Sequence, residues 1–154
     1  MANRAVAEAI SVRPISSEDA EAAAELSAQL GYKASVATMR SRIESLLQNR
    51  SSQAVFVACV DAEVVGWIEI AIVQHLQSEP HTVIGGLVVR EDVRSRGIGS
   101  RLLSEAEEWS RQQEVAVVRV RSQVARERAH RFYLREGYRQ VKTSAVFEKM
   151  VLAV

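Results

Sequence analysis

The sequence predicts a single α/β domain, residues 1–154, built on a mixed sheet. Three observations predict it. Strand-like and helix-like periodicities follow one another in the order β-α-α-β-β-β-α-β-α-β-β, with no internal repeat and no linker. The length, 154 residues, is that of one average domain. At 47% hydrophobic and 25% charged residues, with 7 Gly and 2 Pro, the composition is that of an ordinary globular chain. Disordered, collagen-like and low-complexity architectures are thereby excluded. Folding such a chain buries roughly two-thirds of its unfolded surface, so it needs no staples.

The elements follow in order. Ile10 to Ile15 alternates and meets Pro14, as an edge strand does. Ser16-Ser17-Glu18-Asp19 is a helix start, Ala23, Leu26 and Leu30 keep helical spacing, and Gly31 stands where a C′ glycine stands. A second amphipathic stretch, Ser35 to Gln48, carries Val36, Met39, Ile43, Leu46 and Leu47 on one stripe. Gln53 to Val60 is almost wholly apolar, and Asp61-Ala62-Glu63 joins it to Val64 through about Val73 as a hairpin. Gln74 to Pro80 reads as a polar loop. Thr82 to Arg90 is a third strand, and its adjacent Gly85 and Gly86 predict a bulge or a close approach by a ligand. Gly99 to Gln113 is helical, with Leu102, Leu103, Ala106 and Trp109 on its core face. Val115 to Val120 is a strand, and Arg126 to Glu136 is a short helix ended by Gly137. Tyr138 to Val141 and Ala145 to Leu152 read as two closing strands.

Several function classes drop out. The one cysteine, Cys59, cannot pair within the chain and reads as core, and His75, His81 and His130 show no metal-ligand spacing, so no metal is expected. No apolar run reaches the roughly 18 residues of a membrane span. Met1 to Ile10 lacks the apolar core of a signal peptide, so the expectation is a soluble cytoplasmic protein without a membrane partner. Charge is uneven: residues 1–89 carry 6 basic against 10 acidic residues (−4), residues 90–154 carry 14 against 9 (+5), and 17 of the 20 basic residues are arginine. The second half either meets an anion or presents solvated arginine-rich faces. Arg119, Arg121, Arg126, Arg128, Arg131, Arg135 and Arg139 suggest a nucleic-acid stripe. Interleaved acids, scarce lysine and no exposed aromatic run argue against nucleic acid.

Chemistry concentrates in Val88-Val89-Arg90-Glu91-Asp92-Val93-Arg94-Ser95-Arg96-Gly97-Ile98-Gly99-Ser100-Arg101. A strand ends, a loop bearing glycines and arginines follows, and a helix begins. The glycines let the backbone approach a ligand, and the helix start offers unsatisfied N–H groups and partial positive charge. Together they make a phosphate cradle, with Arg94, Arg96 and Arg101 around it, or a plain glycine-rich helix entry. No Gly-Lys-Ser/Thr follows, so it is not a P-loop, and no third glycine completes a dinucleotide fingerprint.

Arg94-Ser95-Arg96-Gly97-Ile98-Gly99 resembles the Arg/Gln-x-x-Gly-x-Gly/Ala signature of the GNAT superfamily of N-acetyltransferases, and Leu87-Val88-Val89 resembles that family's fourth strand. Ala129 to Tyr138, with Phe132, Tyr133 and Gly137, is similar to its later Ala-x-x-Phe-Tyr-x-x-x-Gly-Phe/Tyr motif. Val12-Arg13-Pro14 with Asp19, and the Leu30-Gly31-Tyr32 helix exit, are also usual there. The resemblance implies a twisted, mostly antiparallel sheet of about seven strands flanked by about four helices and splayed at strands four and five. It implies acetyl-CoA as co-substrate. Backbone amides of Arg96, Gly97, Ile98, Gly99 and Ser100 would bind its pyrophosphate, with Arg94 approaching the same phosphates. The backbone of Leu87, Val88 and Val89 would pair with the pantetheine arm as an added strand does. An N–H near Val88 would stabilise the oxyanion formed when an amine attacks the thioester, an effect worth about 3 kcal/mol. Tyr133 would protonate the departing thiolate. Transfer is direct, so no nucleophilic cysteine is needed.

The chain departs from that pattern at two points. Where many relatives carry an acid before the Leu-x-Val of strand four, Ile84, Gly85 and Gly86 stand here. Glu69, in an otherwise apolar strand, is the replacement base or a solvent-facing edge residue. His75 and His81 relay a proton or are solvated in a loop. Arg126 replaces a common asparagine and reaches the adenosine 3′-phosphate or removes a contact. Trp67 is core or the wall of an acceptor pocket, and Tyr133 is an acid or a core aromatic beside Phe132 and Tyr138. The expected activity is acetylation of a small cationic amine such as an aminoglycoside, polyamine or amine metabolite, the acidic first half suiting such an acceptor. The alternatives are an acyl-CoA-binding regulatory module and a protein N-acetyltransferase. The resemblance allows a homodimer, since many relatives dimerise through C-terminal strands.

Overall fold

The structure is a computed structural model and describes residues 9–153. The chain forms two compact units, Met1–Arg121 and Ser122–Val154. The expectation about a leader in Met1 to Ile10 falls almost wholly on residues 1–8, outside the described residues.

The first unit is a five-stranded sheet in sequential order: β1 (Ile10–Pro14), β2 (Gln53–Val60), β3 (Glu63–His75), β4 (Ser78–Val89) and β5 (Val118–Val120). β1 to β4 are antiparallel neighbours and β5 runs parallel to β4, so the sheet is mixed as predicted. Helices α1 (Ala20–Gln29) and α2 (Val36–Leu47) cover one face, where Ala20, Ala23 and Ile43 pack on Val55, Val57 and Cys59. Cys59 is therefore core. Helix α3 (Ile98–Gln112) covers the other, burying Leu102, Leu103, Ala106 and Trp109. The β2–β3 hairpin turns at Asp61 and Ala62, both at positive φ (49° and 69°), the sign a type I′ turn requires.

Three sequence expectations are corrected. Gln74 to Pro80 is not a loop: β3 runs to His75 and β4 starts at Ser78, leaving a two-residue turn. Polar residues enter a strand there because the hairpin end is exposed on both sides. Val115 to Val120 pairs only from Val118, because the Val115 N–H bonds back to Ser110 O at 3.0 Å and closes the helix instead. Tyr138 to Val141 and Ala145 to Leu152 are not strands, so the described residues hold five strands rather than seven. Alternation supplies strand propensity, but a strand also needs a partner edge, and none pairs with these segments among the described residues. The second unit thus consists of α4 (Glu127–Arg135) and a C-terminal segment without a ladder, along which Val146, Phe147, Met150, Val151 and Leu152 are exposed.

Asp19 ties β1 to the helical face. Its carboxylate accepts two bonds from Arg13, both 2.8 Å, and one from the Ser16 N–H at 2.8 Å. Those bonds, the Arg13 pair foremost, hold its carboxyl below the usual range. A carboxyl lowered on folding stabilises above its unfolded value, near 4, and loses that stability as pH falls through the folded value. Asp19→Asn is expected to lower the melting temperature at pH 7, and the gap to wild type should close in acid. A gap that stays constant between pH 7 and pH 3 would refute this.

Candidate functional site

The strand that organises the site is β4. Its ladder with β3 runs Ile70↔Ile84 and then, after a register slip, Glu69↔Gly86, Ile68↔Leu87, Trp67↔Val88 and Gly66↔Val89. Gly85 is the extra residue, so the expected bulge is present. β5 accompanies β4 only over Thr82–Ile84. Beyond the bulge, Leu87, Val88 and Val89 have a strand neighbour on one side only among the described residues. The α3 side of β4 is locked near β5: Thr82 Oγ1 lies 3.1 Å from Ser110 Oγ, which donates to Val115 O at 2.8 Å.

At the β4 exit the structure shows a residue that sequence reasoning missed. Gln29, the last residue of α1, donates from Nε2 to Val89 O at 2.8 Å, and its Oε1 accepts from the Glu91 N–H at 3.2 Å. The Val89 carbonyl, offered by the sequence reading to a ligand, thus already has a side-chain partner. No motif joins residues sixty positions apart, so nothing in the sequence marks Gln29.

The chain then turns through Glu91–Val93, buries Val93, and passes Arg94 in extended conformation. Ser95 and Gly97 follow at φ +67° and +79°. These two left-handed residues bring the backbone round into α3, a conformation that costs Ser95 strain and Gly97 little. The N-cap of α3 is Gly97, which has no side chain to bond into the first turn. That end of the helix carries the positive pole of its dipole. A Cβ on Gly97 would find nothing within 4 Å beyond its chain neighbours, so the space over this turn is open. Ile98 anchors the turn in the core, while Gly99 and Ser100 are half-buried and Arg96 is exposed. Arg101 is tied elsewhere by one N–H, donating from Nη1 to Ile10 O at 2.6 Å.

Glu69 and Trp67 share the α1–α2 face, opposite Val55 and Val57 of β2. Glu69 is half-buried, and burial raises its carboxyl above the usual range. Among the described residues its carboxylate has no ion-pair partner. Trp67 packs against the core, yet its buried Nε1 has no hydrogen-bond partner among the described residues. His81 is not a loop residue: it is 5% exposed within β4, its ring 5.9 Å from that of His75. Three ladder pairs separate it from Glu69, so the histidines are not brought to that carboxylate.

Tyr133 and Arg126 belong to the second unit. The Tyr133 ring meets Phe132 edge-on at 5.2 Å and Tyr138 at 5.9 Å. Burial raises its hydroxyl above the usual phenol value, with Arg126 pulling the other way. The aromatic contacts foreseen for a core residue are therefore made, and the hydroxyl stays protonated through neutral pH. Among the described residues no group of three His, Cys, Asp or Glu side chains is placed to hold a metal, and no helix is long and apolar enough to cross a membrane.

A strand that bulges and then feeds a helix entered through a left-handed glycine agrees with the acetyltransferase expectation. The chain belongs to the acetyltransferase (GNAT) family, whose sequence model matches residues 20–138. Among individual proteins it is similar to the aminoalkylphosphonate N-acetyltransferase of Salmonella typhimurium (strain LT2), 40% identical over 89 residues. The match covers 54% of this chain and 55% of that protein, so it spans about half of the relative's length. Among solved structures, an aminoglycoside N-acetyltransferase in complex with CoA superposes with a TM-score of 0.83 at 18% identity, covering 97% of this chain and 99% of that one. An aminoglycoside 6'-N-acetyltransferase from Acinetobacter haemolyticus gives 0.80 at 19%, covering 92% and 99%. At such identity these likenesses establish the fold.

Proposed function

We propose that the chain, as one domain over residues 1–154, moves an acetyl group from acetyl-CoA to the primary amine of a small molecule. The observation that carries this reading is the junction from β4 to α3. Among the described residues its strand edge has no ladder partner beyond Ile84 and only Val89 O is held, by Gln29; its loop is turned by two left-handed residues, and the space over Gly97 is open. A strand-like pantetheine arm ending in a diphosphate fits that junction. Bound acetyl-CoA supplies the thioester carbon that the amine attacks. Amides of Arg96, Gly97, Ile98, Gly99 and Ser100 hold the diphosphate, with Arg94 and Arg101 adding positive charge and Arg126 reaching toward the 3′-phosphate. The backbone of Leu87, Val88 and Val89 aligns the arm, and an N–H near Val88 receives the developing oxyanion. Glu69, raised by burial, takes the proton of the acceptor ammonium. Tyr133 gives its hydroxyl proton to the departing sulfur.

The acceptor class follows from two supports. The Salmonella relative is named for aminoalkylphosphonates and the solved neighbours for aminoglycosides, all small primary amines. Exposed Glu18, Glu21 and Glu25 line a groove beside α1 together with Glu63 and Arg90, which suits a cationic end. The test is release of free thiol from acetyl-CoA by the purified chain with aminoglycosides, polyamines, an aminoalkylphosphonate and a peptide with a free N-terminus. Release with the small amines is expected. Binding of acetyl-CoA without release by any amine would make the chain a regulatory acyl-CoA module, and release by the peptide alone a protein acetyltransferase.

The same reading places the chain in the cytoplasm, where the buried Cys59 stays reduced. It also includes a second copy as partner, supported by the apolar C-terminal segment with Phe147 93% exposed. Sedimentation is expected to give twice the 17.1 kDa chain mass, and Phe147→Asp to halve it. A monomer mass for the unmodified chain would remove the partner.

A further inference from the structure

Gly85 and Gly86 do not owe their identity to backbone conformation. Neither stands among the positive-φ glycines, which are Gly31, Gly97 and Gly137. Their surroundings give a different reason. A Cβ on Gly86 would come 2.8 Å from Cη2 and Cζ3 of Trp67, closer than real contacts allow. A Cβ on Gly85 would stand 3.2 Å from Oε1, 3.6 Å from Cδ and 3.9 Å from Cγ of Glu69. Each glycine is bare for a different side chain of β3. The outer atoms of Glu69 lie where a side chain rooted at position 85 would run. Gly85 is exposed at the bulge, so the carboxylate it receives lies beside the surface rather than sealed in the core.

We propose that Gly85 is the positioning residue for Glu69: the side chain missing from β4 lets β3 deliver the carboxylate that meets the acceptor ammonium. This rests on the acetyltransferase reading above, with Glu69 as its base. The geometry makes the two positions interchangeable. A glutamate side chain spans from Cβ to a carboxylate oxygen about the distance that separates the position-85 Cβ from Glu69 Oε1, so an acid planted at 85 reaches the same place once Glu69 is shortened.

The test uses the full chain and four proteins: wild type, Glu69→Ala, Gly85→Ala, and Glu69→Ala combined with Gly85→Glu. For each, kcat and KM are measured with the best amine, acetyl-CoA affinity by calorimetry, and melting by circular dichroism. Glu69→Ala is expected to lower kcat/KM for the amine about a hundredfold. The double variant should recover at least tenfold of that loss. Gly85→Ala, which crowds the carboxylate without removing it, should lower kcat/KM for the amine about tenfold and leave acetyl-CoA affinity unchanged. A double variant that melts cooperatively, binds acetyl-CoA as wild type does and stays as slow as Glu69→Ala overturns the proposal. So does a Gly85→Ala protein with wild-type kcat/KM, which decides the matter even where the double variant fails to fold. An active wild type with either of these results refutes this inference alone. A wild type that releases no thiol with any amine refutes the acetyltransferase reading, and the inference with it.

Discussion

Gly97→Val is expected to weaken acetyl-CoA binding at least a hundredfold, about 2.7 kcal/mol, while the protein remains folded. Two physical effects add. Gly97 sits at φ +79°, in the left-handed region that a β-branched residue enters only at a cost of roughly 1–2 kcal/mol or more. The loop would relieve that cost by leaving the conformation, and the proposed diphosphate amides at the start of α3 would then be displaced. The second effect is occupancy. Apart from its chain neighbours, no described residue has an atom within 4 Å of the Cβ position, so the valine would meet no core. It would fill the opening over the cradle. Stability should therefore fall modestly while affinity collapses. Gly97→Ala separates the effects, since it bears the backbone strain with less bulk and should lose less affinity. Calorimetry giving wild-type affinity for Gly97→Val would remove the diphosphate from this loop.

Tyr133→Phe is expected to lower kcat about a hundredfold or more and to leave acetyl-CoA affinity within about twofold. The substitution deletes one oxygen and keeps the ring, so the edge-on contacts with Phe132 and Tyr138 persist. What is lost is a proton donor. Burial holds the Tyr133 hydroxyl above the usual phenol value of about 10, so it stays protonated over the working range. An acid must be protonated to act, so wild-type kcat should decline only in strongly alkaline solution, and that limb should be absent from the phenylalanine variant. If both proteins turn over at the same rate across the pH series, Tyr133 is only the packed aromatic that its neighbours also make it.

Much of this molecule is legible in its sequence because its signals are local. Helical spacing from Ala23 to Leu30 and from Leu102 to Trp109 follows from one chain segment facing one surface, and it holds in α1 and α3. Adjacent glycines in a strand announce a bulge, and the β4 register slips there. The loop from Arg94 to Gly99 is a local turn whose glycine spacing fixes where α3 begins. Local pattern failed where a partner was needed. Tyr138 to Val141 and Ala145 to Leu152 read as strands yet form no ladder among the described residues, because pairing depends on an available edge. Gln74 to Pro80 looked like a loop for the converse reason, since polar residues pair readily at the exposed end of a hairpin.

The sequence by itself therefore determined the α/β class, the order of the elements as far as α4 and the glycine turn between strand and helix. Each of these is set within a few consecutive residues by backbone conformation and periodicity. Only the tertiary structure decided that Gln29 closes on Val89 and Glu91, that Arg101 leans on Ile10, and that the Glu69 carboxylate lies against Gly85. Those contacts join residues far apart in the chain. Which side chain meets which is fixed only when strand register and helix packing bring the elements together, and no spacing along a single strand records that choice.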